Sequence, residues 1–108
     1  MTDKIYSFIG LAKKAGKLVA GEETCESALK SGKVYLLIVS EDASANTVKK
    51  FMNASAYRKV GMVRFGQKEL LGKFTGGNVR TVIAIKDRGF AEHLKTMIAD
   101  RGKEHGGV

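Results

Sequence analysis

The sequence predicts an α/β fold, a three-layer α-β-α sandwich whose four-stranded, mostly parallel (mixed) sheet carries helices on both faces. Two observations carry that prediction. Stretches in which apolar residues recur at helical spacing alternate with short apolar runs along the whole chain, the order expected of an α/β domain. Two of the runs, residues 34–40 (VYLLIVS) and residues 79–85, the latter interrupted only by Arg80 and Thr81, are apolar at successive positions, so both must be covered on two faces and sit centrally. A chain of 108 residues can bury one such core without a disulfide or a structural metal. Residues 1–100 are expected to form a single domain, and residues 101–108, with three glycines, a flexible tail.

Ile5, Phe8, Ile9, Leu11 and Ala12 define an apolar face and predict a helix from residue 2 or 3 to about 14. Thr2 or Asp3 can cap it, Lys13 and Lys14 oppose the dipole at its end, and Gly16 stops it. Residues 17–20 read as a short strand and 21–30 as a second helix, on which Cys25, Ala28 and Leu29 face inward and which Gly32 ends. After the central run at 34–40, Glu41, Asp42 or Ser44 can cap a third helix over residues 45–57, with Val48, Phe51, Met52 and Ser55 facing in. Gly61 breaks that pattern before a strand at 62–65 that includes Arg64, and residues 68–73 form a helical turn ended by Gly72. The last helix runs from residue 88 or 89 to about 99, with Phe90, Leu94, Met97 and Ile98 inward. Tyr6, Tyr35 and Tyr57 do not form the spaced platform of a single-strand binder, so each is expected to be partly buried.

Nineteen Lys and Arg against eleven Asp and Glu give a net charge of +8, the bias of a protein that faces a polyanion, and nucleic acid is the leading partner. Cys25 stands alone, which excludes an intramolecular disulfide and a cysteine-cluster zinc site, and its place on an apolar stripe predicts a buried structural thiol. The start lacks the basic flank and long apolar run of a signal peptide, and no run approaches a membrane span of about 18 residues, so a cytoplasmic protein is expected.

The best candidate site is the junction at Gly21, where a strand passes directly into a helix. A helix start presents unpaired N–H groups and positive dipole, which favour an anion or a base edge rich in acceptors. Glu22, Glu23 and Glu26 also suit that dipole with no ligand present. Catalysis has little to build on: Cys25 and His93 lack a supporting spacing for a dyad, no metal-ligand set occurs, and the glycines of residues 72–77 are not followed by the Gly-Lys-Ser/Thr of a phosphate loop. No catalytic residue, metal or cofactor is therefore expected. Arg80, just after a flexible glycine pair, can reach a phosphate.

The segments IGLAKKAGKLVAGEE (9–23), LLIVSEDAS (36–44) with the following Asn46 to Lys50, ELLGKFTGG (69–77) and VIAIKDRGFA (82–91) together resemble the kink-turn-binding ribosomal proteins of the L-seven-Ae and L-thirty-e superfamily, and most closely its small bacterial members. The resemblance covers residues from the first helix to about Leu94. It implies the sandwich derived above, no enzymatic activity, and a cytoplasmic, monomeric partner of structured RNA, ribosomal or kink-turn-like. It also implies an RNA surface made of the first turn of the second helix and the loop before the last strand. Where relatives place Gly-Thr-Asn-Glu and then a lysine against sheared G·A pairs, this chain has Gly21, Glu22, Glu23, Thr24 and Ser27, and the second contact loop maps to Gly77, Asn78, Val79 and Arg80. Lys17, Lys30 and Lys33 are expected to add charge at the same end. Glu23 removes an amide donor and Ser27 a phosphate contact, which predicts a preference for structured RNA other than the standard kink-turn. The alternative is a protein-protein interaction module on the same fold that has lost kink-turn binding.

Overall fold

The computed structural model describes the backbone of residues 2–106 and the side chains of residues 3–101. Five helices and four strands alternate: α1 (Thr2–Lys14), β1 (Leu18–Ala20), α2 (Glu22–Lys30), β2 (Leu36–Val39), α3 (Ala45–Arg58), β3 (Gly61–Arg64), α4 (Lys68–Phe74), β4 (Val82–Ile85) and α5 (Arg88–Gly106). Local signals set most of these bounds. The Ser44 hydroxyl accepts from the Thr47 N–H at 3.2 Å to start α3, and Lys17 N–H to Ala12 C=O with Gly16 N–H to Lys13 C=O closes α1. Thr2 and Asp3 lie inside α1, and a cap at residue 1 falls outside the described residues.

The sheet order is β1-β4-β2-β3, so the two apolar runs are adjacent and central as their sequences require; β4 begins only at Val82, however, and Val79, Arg80 and Thr81, read as strand, lie in the loop before it, where Val79 is exposed. Their side chains alternate between two cores. Leu36, Ile38, Ile83 and Ile85 join Ile5, Ile9, Leu71 and Leu94 from α1, α4 and α5, while Leu37, Val39, Val82 and Ala84 join Cys25, Leu29 and Phe51 from α2 and α3. Three layers result.

The sheet is mixed, but its parallel share is smaller than expected. Only β2 and β3 pair parallel, with Leu36 opposite Gly61; β4 runs antiparallel to both β2 and β1. The reason lies in the segment between β3 and β4. The Arg80 N–H donates to the Lys68 C=O at 2.9 Å, so α4 and the loop after it double back to the end of the sheet where β3 finished. The chain therefore enters β4 from that end, and β4 points the other way.

Several side chains also depart from the sequence reading. Leu11 is exposed because the buried stripe of α1 is Ile5, Ile9 and Ala12, and at about 100° per residue Leu11 lies about 125° from its centre. Met52 is exposed, and the buried residues of α3 are Phe51 and Ser55. Tyr35 and Tyr57 are exposed, the first with the Arg88 guanidinium 5.6 Å from its ring centroid. The last helix continues past residue 99 to Gly106. Arg101, expected in a loose tail, donates to Glu41 Oε2 at 3.3 Å and to the Arg64 C=O at 3.2 Å. The rest of the expected tail, residues 107 and 108, lies outside the described residues.

Candidate nucleic-acid interface

The Gly21 junction is built by β1 and β4 together. The Gly21 N–H donates to the Val82 C=O at 3.0 Å, and its own C=O accepts from Cys25 to open α2. Its φ of 101° is a conformation that side chains resist, and no side chain caps the helix start. The first-turn amides of α2 thus face a recess of about 510 Å³, with Gly21, Glu22, Glu23 and Thr24 on one wall and Val79, Arg80 and Thr81 on the other.

The Arg80 guanidinium reaches from its own wall to lie between Gly21 and Gly77. A Cβ on Gly21 would stand 3.3 Å from one terminal guanidinium nitrogen, and a Cβ on Gly77 would stand 3.1 Å from the other. The absence of both side chains lets the flat group lie there. Its Nε is buried with no hydrogen-bond partner. The loop that carries it is fixed from behind, since a Cβ at Gly72 would collide with the Asn78 carbonyl. Val79, 52% exposed, adds an apolar contact at the mouth, and Asn78 and Gly77 stand open to solvent beside it.

The acidic first turn differs from its appearance in sequence. Glu22 Oε2 accepts from the Thr47 and Thr81 hydroxyls, each at 3.3 Å, and its Oε1 lies 3.8 Å from the Lys50 ammonium. Lys50 also pairs with Glu26 at 3.1 Å. Glu22 therefore stays in the recess lining with its carboxylate held by Thr81, Thr47 and Lys50, whereas Glu23, Thr24 and Ser27 are exposed. Thr47, Lys50 and Thr81 escaped the sequence reading because their partner lies tens of positions away, and no local pattern marks the pairing.

Lys17, Lys30 and Lys33 are not brought to the recess. Lys17 precedes β1 and its C=O accepts from the Lys86 N–H, at the end of the sheet where Leu18 faces Ile85. Lys30 ends α2 and Lys33 follows it, a helix length of about 13 Å from Gly21. The reason is that α2 runs the length of the sheet, so charges at its two ends serve opposite poles.

Asp42 supports the same region. It accepts from the Lys68 N–H at 3.0 Å and so caps α4 from another loop. Slight burial pushes its carboxyl up, but this hydrogen bond, with other donors and the Lys68 charge, outweighs that and leaves it below the usual value. Cys25 is a buried thiol, as expected, with its Sγ 3.7 Å from the Val19 and Val82 carbonyls. Burial pushes it up to about 12, against a smaller opposing pull from Arg80. His93 packs on Phe8 at 4.6 Å between ring centroids, on the α1 and α5 side of the sheet, so Cys25 and His93 cannot form a dyad. Among the described residues, no three His, Cys, Asp or Glu side chains cluster as a metal ion needs, and no helix is long and apolar enough to cross a membrane.

The comparisons with known proteins agree with this architecture. The chain is 33% identical over 93 residues to the RNA-binding protein YlxQ of Bacillus subtilis (strain 168), covering 86% of this chain and 93% of the relative. It is 38% identical over 96 residues to the RNA-binding protein YlxQ of Enterococcus faecium, covering 88% and 91%. A solved protein of unknown function from Bacillus halodurans superposes with a TM-score of 0.84 at 35% identity, covering 89% of this chain and 97% of that one. The Giardia lamblia 15.5kD RNA binding protein superposes at 0.75 with 20% identity, covering 91% and 88%, a likeness of fold alone. The sequence profile of the Ribosomal protein L7Ae/L30e/S12e/Gadd45 family matches residues 3–95, and with a fold and relatives that agree along nearly the whole chain, this protein belongs to that family.

Proposed function

We propose that this protein is a non-catalytic RNA-binding protein, associated with the ribosome, that recognises structured, kink-turn-like RNA in the recess between the start of α2 and the loop before β4. The observation that carries the reading is Arg80, a guanidinium held flat between Gly21 and Gly77 with a buried, unpartnered Nε. Beside it lie uncapped helix amides and an exposed Val79, so donors for phosphate or base edges and an apolar contact for a base share one concavity. The net charge of +8 supports a polyanionic partner, and the two bacterial relatives carry the name RNA-binding protein. The protein-interaction alternative, an acidic first turn meeting a basic partner, loses weight because Glu22 and Glu26 are paired with Lys50.

Filter binding of one kink-turn RNA and of the same strands straightened by deleting the bulge tests the proposal across a salt series. The kinked RNA should bind more tightly and with a steep salt dependence. Equal affinity for both forms would refute recognition of the kink. Glu23→Asn, Thr24→Glu and Ser27→Lys together should tighten binding to the kinked form about tenfold, because they return an amide donor and a cation. No gain in the triple variant, with tight binding by the natural chain, would show that Glu22 and Glu23 are accommodated.

A further inference from the structure

A second concavity lies on the outer side of α1. It is a groove of about 610 Å³ walled by Gly10, Leu11, Lys13 and Lys14 of α1 and by Lys73 and Phe74 of α4, within the size range of small-ligand sites. Its floor is apolar and open, for Leu11 is 53% exposed. Phe74 is fixed from below by stacking on Tyr6 at 5.3 Å between centroids, and Tyr6 is itself pinned where its hydroxyl accepts from the Gln67 N–H at 2.9 Å. The Lys73 ammonium lies 6.0 Å from the centroid of the Phe74 ring. No carboxylate is among the residues that line the groove, and among the described residues none of its three lysines is in an ion pair.

Helix-dipole compensation at the end of α1 accounts for Lys13 and Lys14. It does not account for Lys73 on the opposite wall or for a leucine left open between them. The groove ends at Gly76, one residue before the Gly77 that the Arg80 guanidinium rests against. The loop after α4 therefore joins this groove to the recess.

We infer that the groove takes a single-stranded RNA segment leaving the Arg80 recess, with one unpaired base on Leu11 and Phe74 and its phosphates on Lys13, Lys14 and Lys73. The identity of the polyanion rests on the function proposed above. Cations on both walls match a phosphate chain, and an apolar floor with a fixed aromatic ring matches the flat face of a base. An acidic side chain would meet the lysines but leave Leu11 and Phe74 uncovered.

The test uses the full chain and fluorescence anisotropy on four RNAs: a kinked hairpin and a straight hairpin, each with and without a ten-uridine single-stranded tail. The tail should tighten binding to either hairpin about tenfold, and three neutralised phosphates at roughly 0.7 each should steepen the salt slope by about 2. Lys13→Ala with Lys73→Ala, and separately Leu11→Ser, should abolish the tail's gain and leave tail-less binding unchanged. These side chains are exposed, so folding is not at stake. A tail gain of equal size in the variants would overturn the inference. Competition by decaglutamate as effective as that by free ten-uridine RNA would also overturn it, in favour of an acidic peptide. Loss of kink discrimination alongside a Lys73-dependent tail gain would refute the proposed function and leave the groove's role standing.

Discussion

Removing the Arg80 guanidinium should separate binding from stability. In the folded state its Nε is buried without a partner, and an unsatisfied buried donor costs about 1–3 kcal/mol. Arg80→Ala removes that cost but also removes the packing of the group between Gly21 and Gly77, so the two terms oppose and the net change in unfolding free energy should stay within about 1 kcal/mol. Binding has no such compensation. One lost phosphate contact should lower affinity for a structured RNA about tenfold, roughly 1.4 kcal/mol, and reduce the slope of log affinity against log salt by about 0.9. Arg80→Lys keeps the charge but not the flat group, so it should retain most of the salt slope while losing affinity. Urea unfolding gives the first quantity and a filter-binding salt series the second. A stability loss above about 2 kcal/mol with an unchanged slope would show that Arg80 is a structural group and that its place in the recess has no bearing on phosphate.

Lys59 ends α3 at a φ of 58°, a left-handed conformation that costs a side-chain-bearing residue about 1–2 kcal/mol. Lys59→Gly should raise the urea midpoint by the equivalent of about 1 kcal/mol, less the flexibility glycine adds to the unfolded chain. Cys25 should make stability fall at high pH. Its thiol rises from 9.0 to about 12 on folding, so above 9 the unfolded chain loses a proton that the folded chain keeps, and stability declines toward 12. Urea midpoints at pH 8 and pH 10 should differ in the natural chain and differ less in Cys25→Val. Gly72→Ala places a Cβ against the Asn78 carbonyl, and the displaced loop should cost about 1–3 kcal/mol in urea and weaken RNA binding, a paired effect that Arg80→Ala should not show.

Much of the fold was legible locally. A strand buried on both faces has to be apolar at successive positions, so the uninterrupted parts of the runs at 34–40 and 79–85 announced the sheet centre that β2 and β4 form, while Val79 to Thr81, broken by Arg80 and Thr81, became loop. Helix ends were legible where a short-range bond sets them, as with the Ser44 hydroxyl and Thr47, or Gly16 after α1. The junction at Gly21 was legible too, since a glycine between an apolar run and a helical stripe is a local signal. Strand direction was not. It depends on the Arg80 to Lys68 hydrogen bond that folds the α4 segment back on itself, and spacing along the chain carries no trace of that bond.

The composition of the site divides in the same way. The sequence by itself determined that Gly21 and Arg80 exist as a helix start and a loop cation, and that the chain carries excess positive charge. Only the tertiary structure decided that the two meet, that the Glu22 carboxylate in the recess wall is tied to Thr47 and Thr81, 25 and 59 positions distant, and that Lys17 and Lys33 lie at the far pole. Helix and strand periodicity is written by neighbours within a turn or a pleat, whereas a side chain's partner across the sandwich is fixed by how whole elements pack, and the packing places charges that no local pattern can position.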